Sequence, residues 1–292
     1  MKPVIVLTVF VTAAFSAGAQ SFLDRSLSPE ARAHDLVSRL TLEEKAALAT
    51  NNSEAVERLG IREYNWWSEA LHGIGFNGKA TSFPEPIGMA ASFDEHLVHE
   101  VFQAVSDEGR VKFRQARQNG EIKVAQGITF WTPNINIFRD PRWGRGMETY
   151  GEDPFLTSRL GMAVVHGLQG DPDAPVLKAH ACAKHFAVHS GPESERHSMD
   201  VNVSDRDLKE TYLTAFKDLV IKARVQEVMT AYNRFRGVPC GANPYLIDSL
   251  LRGEWGFKGI ITSDCWALAD FYEPGKHGFS SDPAAYPTAT AC

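Results

Sequence analysis

Short apolar segments alternate along this chain with longer segments in which apolar residues recur every three to four positions. Residues 127–133 and 259–262 are rich in β-branched and aromatic residues, which predicts short buried strands. Between residues 93 and 113 the apolar residues fall at helical spacing, as they do between residues 208 and 220. Strand, loop and helix therefore alternate at the spacing of βαβ units, and this pattern predicts a parallel sheet with helices packed on it.

The same pattern predicts where helices begin and how many strands the sheet contains. Ser28 precedes a helix with proline at its first position, and Thr41 opens a capping box with Glu44. About seven segments have the character of strands, including a weak one at residues 199–203, whereas a closed β/α barrel needs eight. The polar sequence after Tyr272 offers no further strand. The sheet is therefore either open or an interrupted barrel.

The segment at residues 259–266 contains the first candidate for chemistry. Its apolar strand, which we expect to be buried on both faces, ends abruptly at Asp264. In a β/α barrel, a charged residue at the C-terminal end of a strand lies at the mouth where catalysis takes place, so Asp264 is the candidate reacting residue. The alternative is that Asp264 only caps the following helix, since Asp is a favoured N-cap residue.

Charged side chains recur at the ends of the other predicted strands. Ionised groups rarely lie beside apolar strands unless they are paired or used, and several of them at one barrel mouth would bind a polyhydroxylated ligand. The candidates are Glu69, Arg142, Arg145, Lys184, His185 and Arg196. Flat apolar faces on which sugar rings stack are offered by Trp66, Trp67, Trp131, Trp143 and Trp266.

These residues also have purely structural interpretations. Lys184 and His185 could simply end a strand at the surface. Arg142 and Arg145 could clamp their own loop to Glu148 or Asp153. Most of the tryptophans could belong to the core, which is where large aromatic side chains usually pack.

Composition and the N-terminal sequence narrow the partners and the compartment. The 292 residues have a formal net charge of −6, which gives no electrostatic reason to expect a nucleic-acid partner. Lys2, the apolar run at residues 4–15 and the small residues after it predict a secretory signal peptide over residues 1–19, and hence a secreted or periplasmic protein. A membrane anchor is less favoured because the run is short, and we expect no membrane span after cleavage.

We expect neither a metal nor a cofactor. The four cysteines, at positions 182, 240, 265 and 292, are too far apart for a zinc pattern; no disulfide is predicted, and Cys182 is expected to be a small buried hydrophobe. His72, His189 and His197 provide no His-x-x-x-His pair with carboxylates on one helix. The chain also has no glycine-rich phosphate loop after a strand and no Gly-x-Ser-x-Gly elbow, so redox, phosphoryl-transfer and serine-hydrolase chemistry lack residues to perform them.

Five motifs, in this order, resemble glycoside hydrolase family 3, in particular its β-xylosidase and β-glucosidase members. They are residues 67–73 (WSEALHG), 139–148 (RDPRWGRGME) followed by 151–154 (GEDP), 184–186 (KHF), 229–233 (MTAYN) and 263–264 (SD). The resemblance extends from about residue 40 to residue 272. It implies an α/β fold of the TIM-type (β/α)8 barrel class, formed by residues 20–292 as one domain. The barrel is expected to be incomplete, without its last strand and without a second α/β domain.

The resemblance also implies roles for individual residues. Asp264 matches the nucleophile of a retaining, exo-acting β-glycosidase that forms a covalent glycosyl-aspartate, and Lys184 and Arg145 would keep it ionised. Cys265 stands where many members have tryptophan, as in members that act on pentosides. Terminal β-D-xylosides of xylo-oligosaccharides, or α-L-arabinosides, are therefore favoured over β-glucosides as the substrate. Sugar-binding positions are matched by Glu69, Trp131, Arg145, Lys184, His185, Arg196 and Tyr232.

The general acid/base remains unassigned by the resemblance. In most xylosidase-like and glucosidase-like members it is a glutamate of a second domain, and this chain ends before such a domain. The β-N-acetylhexosaminidase branch instead uses a His-Asp dyad, but here Gly191 occupies the position expected for the aspartate and only His189 matches. The alternatives are therefore a β-glucosidase or a hexosaminidase of the same family. In another class, the alternative is a catalytically incomplete fragment that binds sugar.

Overall fold

The computed structural model of this protein describes residues 21–120, 122–273 and 276–277. The predicted signal peptide at residues 1–19 and the last cysteine, Cys292, lie outside the described residues. The chain divides into two compact units, Met1–Thr50 and Asn51–Cys292.

The described part of the N-terminal unit, residues 21–50, contains a 3-10 turn and two helices. Ser28 caps the first helix by accepting a hydrogen bond from the Ala31 N–H at 3.2 Å, and Thr41 and Glu44 form a reciprocal capping box at the start of the second. Both helix starts predicted from the sequence are confirmed, because polar side chains satisfy N–H groups that have no partner within the helix. The bounds are Ser21–Leu23 for the turn, Pro29–Arg39 for α1 and Leu42–Leu48 for α2.

The second unit alternates short strands with helices, and the helices predicted at residues 93–113 and 208–220 are present. The strands are β1 (Asn52–Ser53), β2 (Tyr64–Asn65), β3 (Trp67–Ser68), β4 (Thr129–Phe130), β5 (His180–Phe186), β6 (Asp200–Val201), β7 (Glu227–Thr230), β8 (Arg234–Phe235), β9 (Val238–Pro239) and β10 (Ile260–Ser263). The helices are α3 (Pro86–Ala90), α4 (Glu95–Gln118), α5 (Pro154–Gln169), α6 (Asp205–Asp207) and α7 (Thr214–Ile221), with π-helical segments at Leu208–Tyr212 and Tyr245–Glu254.

Within the described residues, five parallel strands form the main sheet, in the order β10-β7-β5-β4-β3. The order of the strands in the sheet therefore follows their order in the chain, and a helical segment lies between each successive pair. In a doubly wound sheet the order of the strands reverses partway across the sheet. In a β/α barrel each strand instead pairs with the next strand of the chain, so the order is kept throughout. The described part of the sheet is thus an open half-barrel of the α/β class, which agrees with the incomplete barrel predicted from the sequence.

The core lies between this sheet and its helices. Phe102 and Val105 of α4 are fully buried, as are Phe130 of β4 and Val164 of α5. Gly109 allows α4 to approach β4 closely, because a Cβ atom at this position would lie 2.6 Å from the ring of Phe130. Close packing of this kind holds the strands rigidly, so that their ends have fixed positions.

Two of the predicted strands differ from the expectation in their surroundings. The weak strand predicted at residues 199–203 is present as β6, but β6 belongs to a separate three-stranded sheet in the order β6-β8-β9, so the main sheet has five described strands. The strand β10 is not buried on both faces, since Ile260 is 45% exposed. The physical reason is that β10 pairs with β7 and lies at the edge of the described sheet, where an apolar strand has a neighbour on one side.

Candidate active site

The C-terminal ends of the parallel strands bring the predicted site residues to one edge of the sheet. Glu69 directly follows β3, and Trp131 directly follows β4. Lys184 and His185 lie near the end of β5, and Asp264 directly follows β10. Parallel strands of a barrel end at the same edge, so these five residues, distant in the sequence, come together there.

Asp264 is buried, with 7% of its surface exposed. Its Oδ1 accepts a hydrogen bond from the Cys265 N–H at 2.7 Å. Its Oδ2 lies 3.4 Å from Nε2 of His185 and has no hydrogen-bond partner among the described residues. An N-cap side chain bonds an N–H two or three residues later, so the capping interpretation does not fit. One carboxylate oxygen is held by the backbone, and the other is available for chemistry.

The surroundings of Asp264 act on its charge in two directions. Burial raises the pKa of the carboxyl group, whereas the Lys184 ammonium, the Arg145 guanidinium and the Cys265 N–H each lower it. The net pKa lies above the ordinary value of 3.8. Lys184 and Arg145 thus favour the ionised carboxylate, as the sequence predicts, but burial outweighs them.

His185 is held as a neutral imidazole. Its Nδ1 lies 2.9 Å from Oδ1 of Asn136, and the same oxygen accepts the backbone N–H of His185 at 2.8 Å. An amide oxygen only accepts hydrogen bonds, so Nδ1 carries the proton and Nε2 is the acceptor for Nη1 of Arg145 at 3.1 Å. Burial and the charge of Arg145 lower the pKa of His185 well below 6.5. Its contact with Asp264 is therefore not an ion pair.

Arg145 both clamps its loop and belongs to the site. Its Nε and Nη2 donate to the two carboxylate oxygens of Glu148 at 2.9 and 2.6 Å, which is the strong two-pronged geometry of arginine with a carboxylate. Its third nitrogen faces His185. Arg142 also clamps its loop, but its partner is Asp140 at 2.7 Å rather than Glu148 or Asp153, and its side chain is largely exposed. The structural interpretation therefore holds for Arg142 with a different partner, and for Arg145 only in part.

Lys184 and Glu69 form a buried ion pair at the sheet edge. Lys184 Nζ lies 3.3 Å from Glu69 Oε2, and the lysine side chain is 3% exposed. The other carboxylate oxygen of Glu69 accepts a hydrogen bond from Nε1 of Trp67 at 3.3 Å. Burial raises the pKa of Glu69, and the charge of Lys184 offsets part of that rise. The alternative that Lys184 and His185 end a strand at the surface is wrong, because both side chains are buried.

Tyr232, Cys265 and Arg196 lie around Asp264. The Tyr232 hydroxyl donates a hydrogen bond to the Cys265 carbonyl at 2.6 Å, and it also lies close enough to Asp264 to lower the pKa of that carboxyl. The thiol of Cys265 is free and the residue is exposed. Arg196 forms an ion pair with Glu193, and its guanidinium lies 6.0 Å from the centre of the Tyr232 ring. Arg196 thus reaches the site through its contact with Tyr232.

Three tryptophans, Trp66, Trp67 and Trp131, form a cluster beside Glu69, whereas Trp143 and Trp266 have other neighbours. The Trp131 ring lies 6.2 Å from that of Trp66 and 5.4 Å from that of Trp67, measured between ring centres. Trp143 is buried against Phe138 and His189, away from this cluster, and Trp266 is 88% exposed. Of the tryptophans considered in the sequence, Trp66, Trp67 and Trp131 are therefore those that line the Glu69 side of the site.

Two buried polar residues in this region, Asn136 and Glu227, were not predicted from the sequence. Asn136 fixes the orientation of His185, and the only signal in the sequence is a pair of asparagines just after the strand predicted at residues 127–133. Glu227, the first residue of β7, has no exposed surface. Its signal is a carboxylate inside an otherwise apolar strand, since ionisable side chains are almost never fully buried unless they are paired.

The hexosaminidase dyad has little support in this geometry. His189 is buried and its Nδ1 lies 3.1 Å from Oδ1 of Asn233. Burial lowers the pKa of His189 to about 3, so the imidazole is neutral. A Cβ atom at Gly191 would lie 2.1 Å from the sulfur of Met199, so the Met199 side chain would have to move before an aspartate could take this position. Among the described residues, no three His, Cys, Asp or Glu side chains are grouped so that they could hold a metal ion.

Comparisons with known proteins agree with this arrangement. A family-wide profile, Glycosyl hydrolase family 3 N terminal domain, matches residues 32–284. The chain is 51% identical to Xylan 1,4-beta-xylosidase of Xylanibacter ruminicola, a match that covers 100% of this chain and 34% of that protein. It is 41% identical to Beta-xylosidase/alpha-L-arabinofuranosidase 1 of Medicago sativa, with 94% of this chain and 36% of that protein covered.

The fold is similar to a solved structure of the GH3 exo-beta-xylosidase XlnD in complex with a xylobiose aziridine probe. The TM-score is 0.80 with 38% sequence identity, and the match covers 91% of this chain and 36% of that one. The chain thus spans about a third of the length of the relatives that it matches. Since the family profile covers most of the chain, this protein belongs to glycoside hydrolase family 3, in which it corresponds to the N-terminal domain.

Proposed function

We propose that this chain carries the catalytic barrel of a retaining, exo-acting β-glycosidase whose nucleophile is Asp264. The observation that supports this most directly is the state of the Asp264 carboxylate: Cys265 holds one oxygen, and the other oxygen has no hydrogen-bond partner in the described site. That oxygen would bond to the anomeric carbon while the bond to the leaving oxygen breaks. Water would then attack the same carbon, release the sugar and regenerate the carboxylate.

We assign the side chains around Asp264 to binding of the sugar in the adjoining subsite. Glu69 supplies acceptor oxygens, Lys184 and Arg145 supply donors, and neutral His185 offers a ring nitrogen, which together match the alternating donors and acceptors of sugar hydroxyls. Aromatic rings supply the flat apolar surface that a sugar ring covers. The full set is Glu69, Trp131, Arg145, Lys184, His185, Arg196, Tyr232 and Cys265.

The proposed substrates are terminal β-D-xylosides of xylo-oligosaccharides or α-L-arabinosides. The names of the relatives support this choice, since they include xylosidases and a xylosidase/arabinofuranosidase. The loop that carries Glu69 supports it further, because residues 67–73 (WSEALHG) resemble the substrate-binding loop of the xylosidase members. A β-glucosidase is the alternative within the family.

The carboxylates of the described site are poorly suited to donate a proton to the leaving group. The two other carboxylates at the site are both committed to cations, Glu69 to Lys184 and Glu148 to Arg145. Burial alone would raise the pKa of Glu148, but the hydrogen bonds and charge of Arg145 lower it below its ordinary value. Glu148 is therefore held as a carboxylate. Burial raises the pKa of Glu69, but its two oxygens face donors, Nε1 of Trp67 and Nζ of Lys184, rather than a leaving group. Activated leaving groups that need no proton should therefore react best.

The test compares 4-nitrophenyl β-D-xyloside with xylobiose, and 4-nitrophenyl β-D-glucoside serves as the control for the sugar. We expect kcat/KM to be far higher for the aryl xyloside than for either other substrate, and Asp264→Asn to abolish turnover of all three. Activity of the Asp264→Asn protein would remove Asp264 from the role of nucleophile. Equal rates on the aryl xyloside and xylobiose would show that the site contains an efficient acid.

We also propose that the protein is exported and that residues 20–292 form one family domain. The signal-peptide pattern at residues 1–19 supports the export proposal. No helix in the described ranges is long and apolar enough to cross a membrane. Mass spectrometry of the N-terminal peptide from the native host would test the proposal: a mature chain starting near Gln20 is expected, and an intact N-terminus would contradict it.

A further inference from the structure

Glu227 lies in the interior of the half-barrel, in the layer beneath the site. As the first residue of β7, it pairs in register with Cys182 on β5 and with Ile260 on β10. Alternate residues of a strand share one face, so Glu227 points to the same side as Met229. Met229 packs in a buried cluster with Trp131 and Cys182. Glu227 therefore stands among the side chains that form the floor under Glu69 and Lys184.

The polar atoms of Glu227 and Trp131 are buried without regular partners. Both carboxyl oxygens of Glu227 and Nε1 of Trp131 are shielded from solvent and make no hydrogen bond of normal geometry. The indole N–H nevertheless lies close enough to the carboxyl to favour its charged form. Buried polar atoms almost always have a partner, and an indole N–H can only donate while a carboxyl oxygen can accept. Each group is thus the natural partner of the other.

The charges around Glu227 leave it without a counter-ion of its own. Lys184 favours an ionised Glu227, but its Nζ is already paired with Glu69 at 3.3 Å. Glu69 contributes a second negative charge that opposes ionisation of Glu227. Cys182 on β5 adds a thiol. Burial raises the pKa of this thiol well above its ordinary value, and the charge of Asp264 raises it further. Two carboxylates and one ammonium in a buried space are most stable when one carboxyl keeps its proton.

We propose that Glu227 is a positioning residue that works as a neutral carboxylic acid, holding the indole of Trp131 in place on the floor of the sugar pocket. Its carbonyl oxygen accepts from the Trp131 N–H, which fixes the plane of the ring that lies between Trp66 and Trp67. The part of this inference that concerns sugar affinity rests on the proposed function. The pairing of Glu227 with Trp131 stands on the packing alone.

Loss of the proton would disturb this arrangement. Burial is the main cause that raises the pKa of Glu227, from 4.5 to about 8. Above that pH a second buried carboxylate would face Glu69, and the floor would have to admit water or move to accommodate it. The Trp131 environment and the affinity for sugar should therefore change together near pH 8, while Glu227→Gln, which keeps a neutral acceptor, should show neither change.

The first experiment measures intrinsic tryptophan emission as a function of pH for the wild-type chain, Glu227→Gln and Trp131→Phe. We expect a transition with a midpoint near pH 8 in the wild type that is absent from both variants. A wild type without this transition, or a transition that persists at the same midpoint in either variant, would overturn the pairing. The two substitutions keep the size of the side chain closely enough that far-UV circular dichroism is expected to match the wild type.

The second experiment measures the affinity for D-xylose by calorimetry at about pH 6 and pH 9. Glu227→Gln should keep the affinity of the wild type at the lower pH, whereas Glu227→Leu, which offers no acceptor to the indole N–H, should weaken it about tenfold. Wild-type affinity should fall at the higher pH, and that of Glu227→Gln should not. If Glu227→Leu binds xylose as well as the wild type does, the positioning role is wrong. If no protein binds xylose, the proposed function fails, and the emission experiment still decides the pairing.

Discussion

Replacing Lys184 by methionine should destabilise the fold far more than removing an exposed lysine. Lys184 Nζ lies 3.3 Å from Glu69 Oε2, and the two side chains are 3% and 17% exposed. At an effective dielectric constant of about 20, unit charges at that distance attract by about 5 kcal/mol. This attraction offsets the cost of removing both charges from water. Methionine fills similar space without a charge, so it leaves the Glu69 carboxylate buried without its counter-ion.

We expect Lys184→Met to lower the free energy of unfolding by about 3–5 kcal/mol at neutral pH. Glu69→Gln in the same chain removes the uncompensated charge, so the double variant should lose at least about 2 kcal/mol less than the sum of the single variants. The matched control is Lys217→Met. Lys217 pairs with Glu254 at a similar distance, 3.4 Å, but the side chains are 50% and 52% exposed, and the cost should be below about 1 kcal/mol.

Urea unfolding followed by far-UV circular dichroism measures all of these free energies. The cost of Lys184→Met should also shrink in acid, because burial raises the pKa of Glu69 and the carboxyl then takes up a proton and loses its charge. A cost of Lys184→Met no greater than that of Lys217→Met, or simple additivity of Lys184→Met and Glu69→Gln, would show that the two buried charges do not stabilise each other.

Three further predictions concern other positions. Burial raises the pKa of Glu227 from 4.5 to about 8, so between these two pH values the folded protein keeps a proton that the unfolded chain releases. The free energy of unfolding of the wild type should therefore fall, as the pH rises across this window, by up to about 1.4 kcal/mol per pH unit. Urea unfolding of Glu227→Gln should lack this slope. Equal slopes for the wild type and Glu227→Gln would contradict this prediction. Gly127→Ala places a Cβ 2.1 Å from the Trp66 carbonyl oxygen and should lower Tm by several degrees, whereas an unchanged Tm would show that the loop yields freely. Arg145→Lys loses the two-pronged contact with Glu148 and should lower kcat/KM for 4-nitrophenyl β-D-xyloside by at least about tenfold; a loss below twofold would mean that the planar fork is not needed.

The residues at strand ends could be predicted because the sequence itself marks where a strand ends. Lys184 and Asp264 each interrupt a short apolar run, and Glu69 follows a pair of tryptophans. Once the pattern indicates a parallel sheet, the ends of its strands must meet at one edge. The strand order of the half-barrel could also be predicted from the sequence, because the strands lie in the sheet in the order in which they occur in the chain.

Other features depend on neighbours that are distant in the chain. Ile260 is exposed because β10 lies at the edge of the described sheet, and an apolar run by itself does not distinguish an edge strand from a central one. Asn136 acts on His185, 49 positions later, through contacts that exist only after the loop folds back. Glu227 pairs with Cys182 on β5 and lies close to Trp131, which follows β4, so a local pattern shows its residue type but not its surroundings.

The most direct test of the nucleophile is the intact mass of the chain after incubation with an activated 2-fluoro-xyloside. The fluorine slows formation and hydrolysis of the glycosyl-enzyme, and a good leaving group keeps the first step fast enough for the intermediate to accumulate. We predict a mass gain of one 2-fluoroxylosyl group, located on the peptide that contains Asp264 and absent from Asp264→Asn. A folded wild-type protein that gains no mass, or a gain that maps to another residue or persists in Asp264→Asn, would contradict the assignment of Asp264 as the nucleophile.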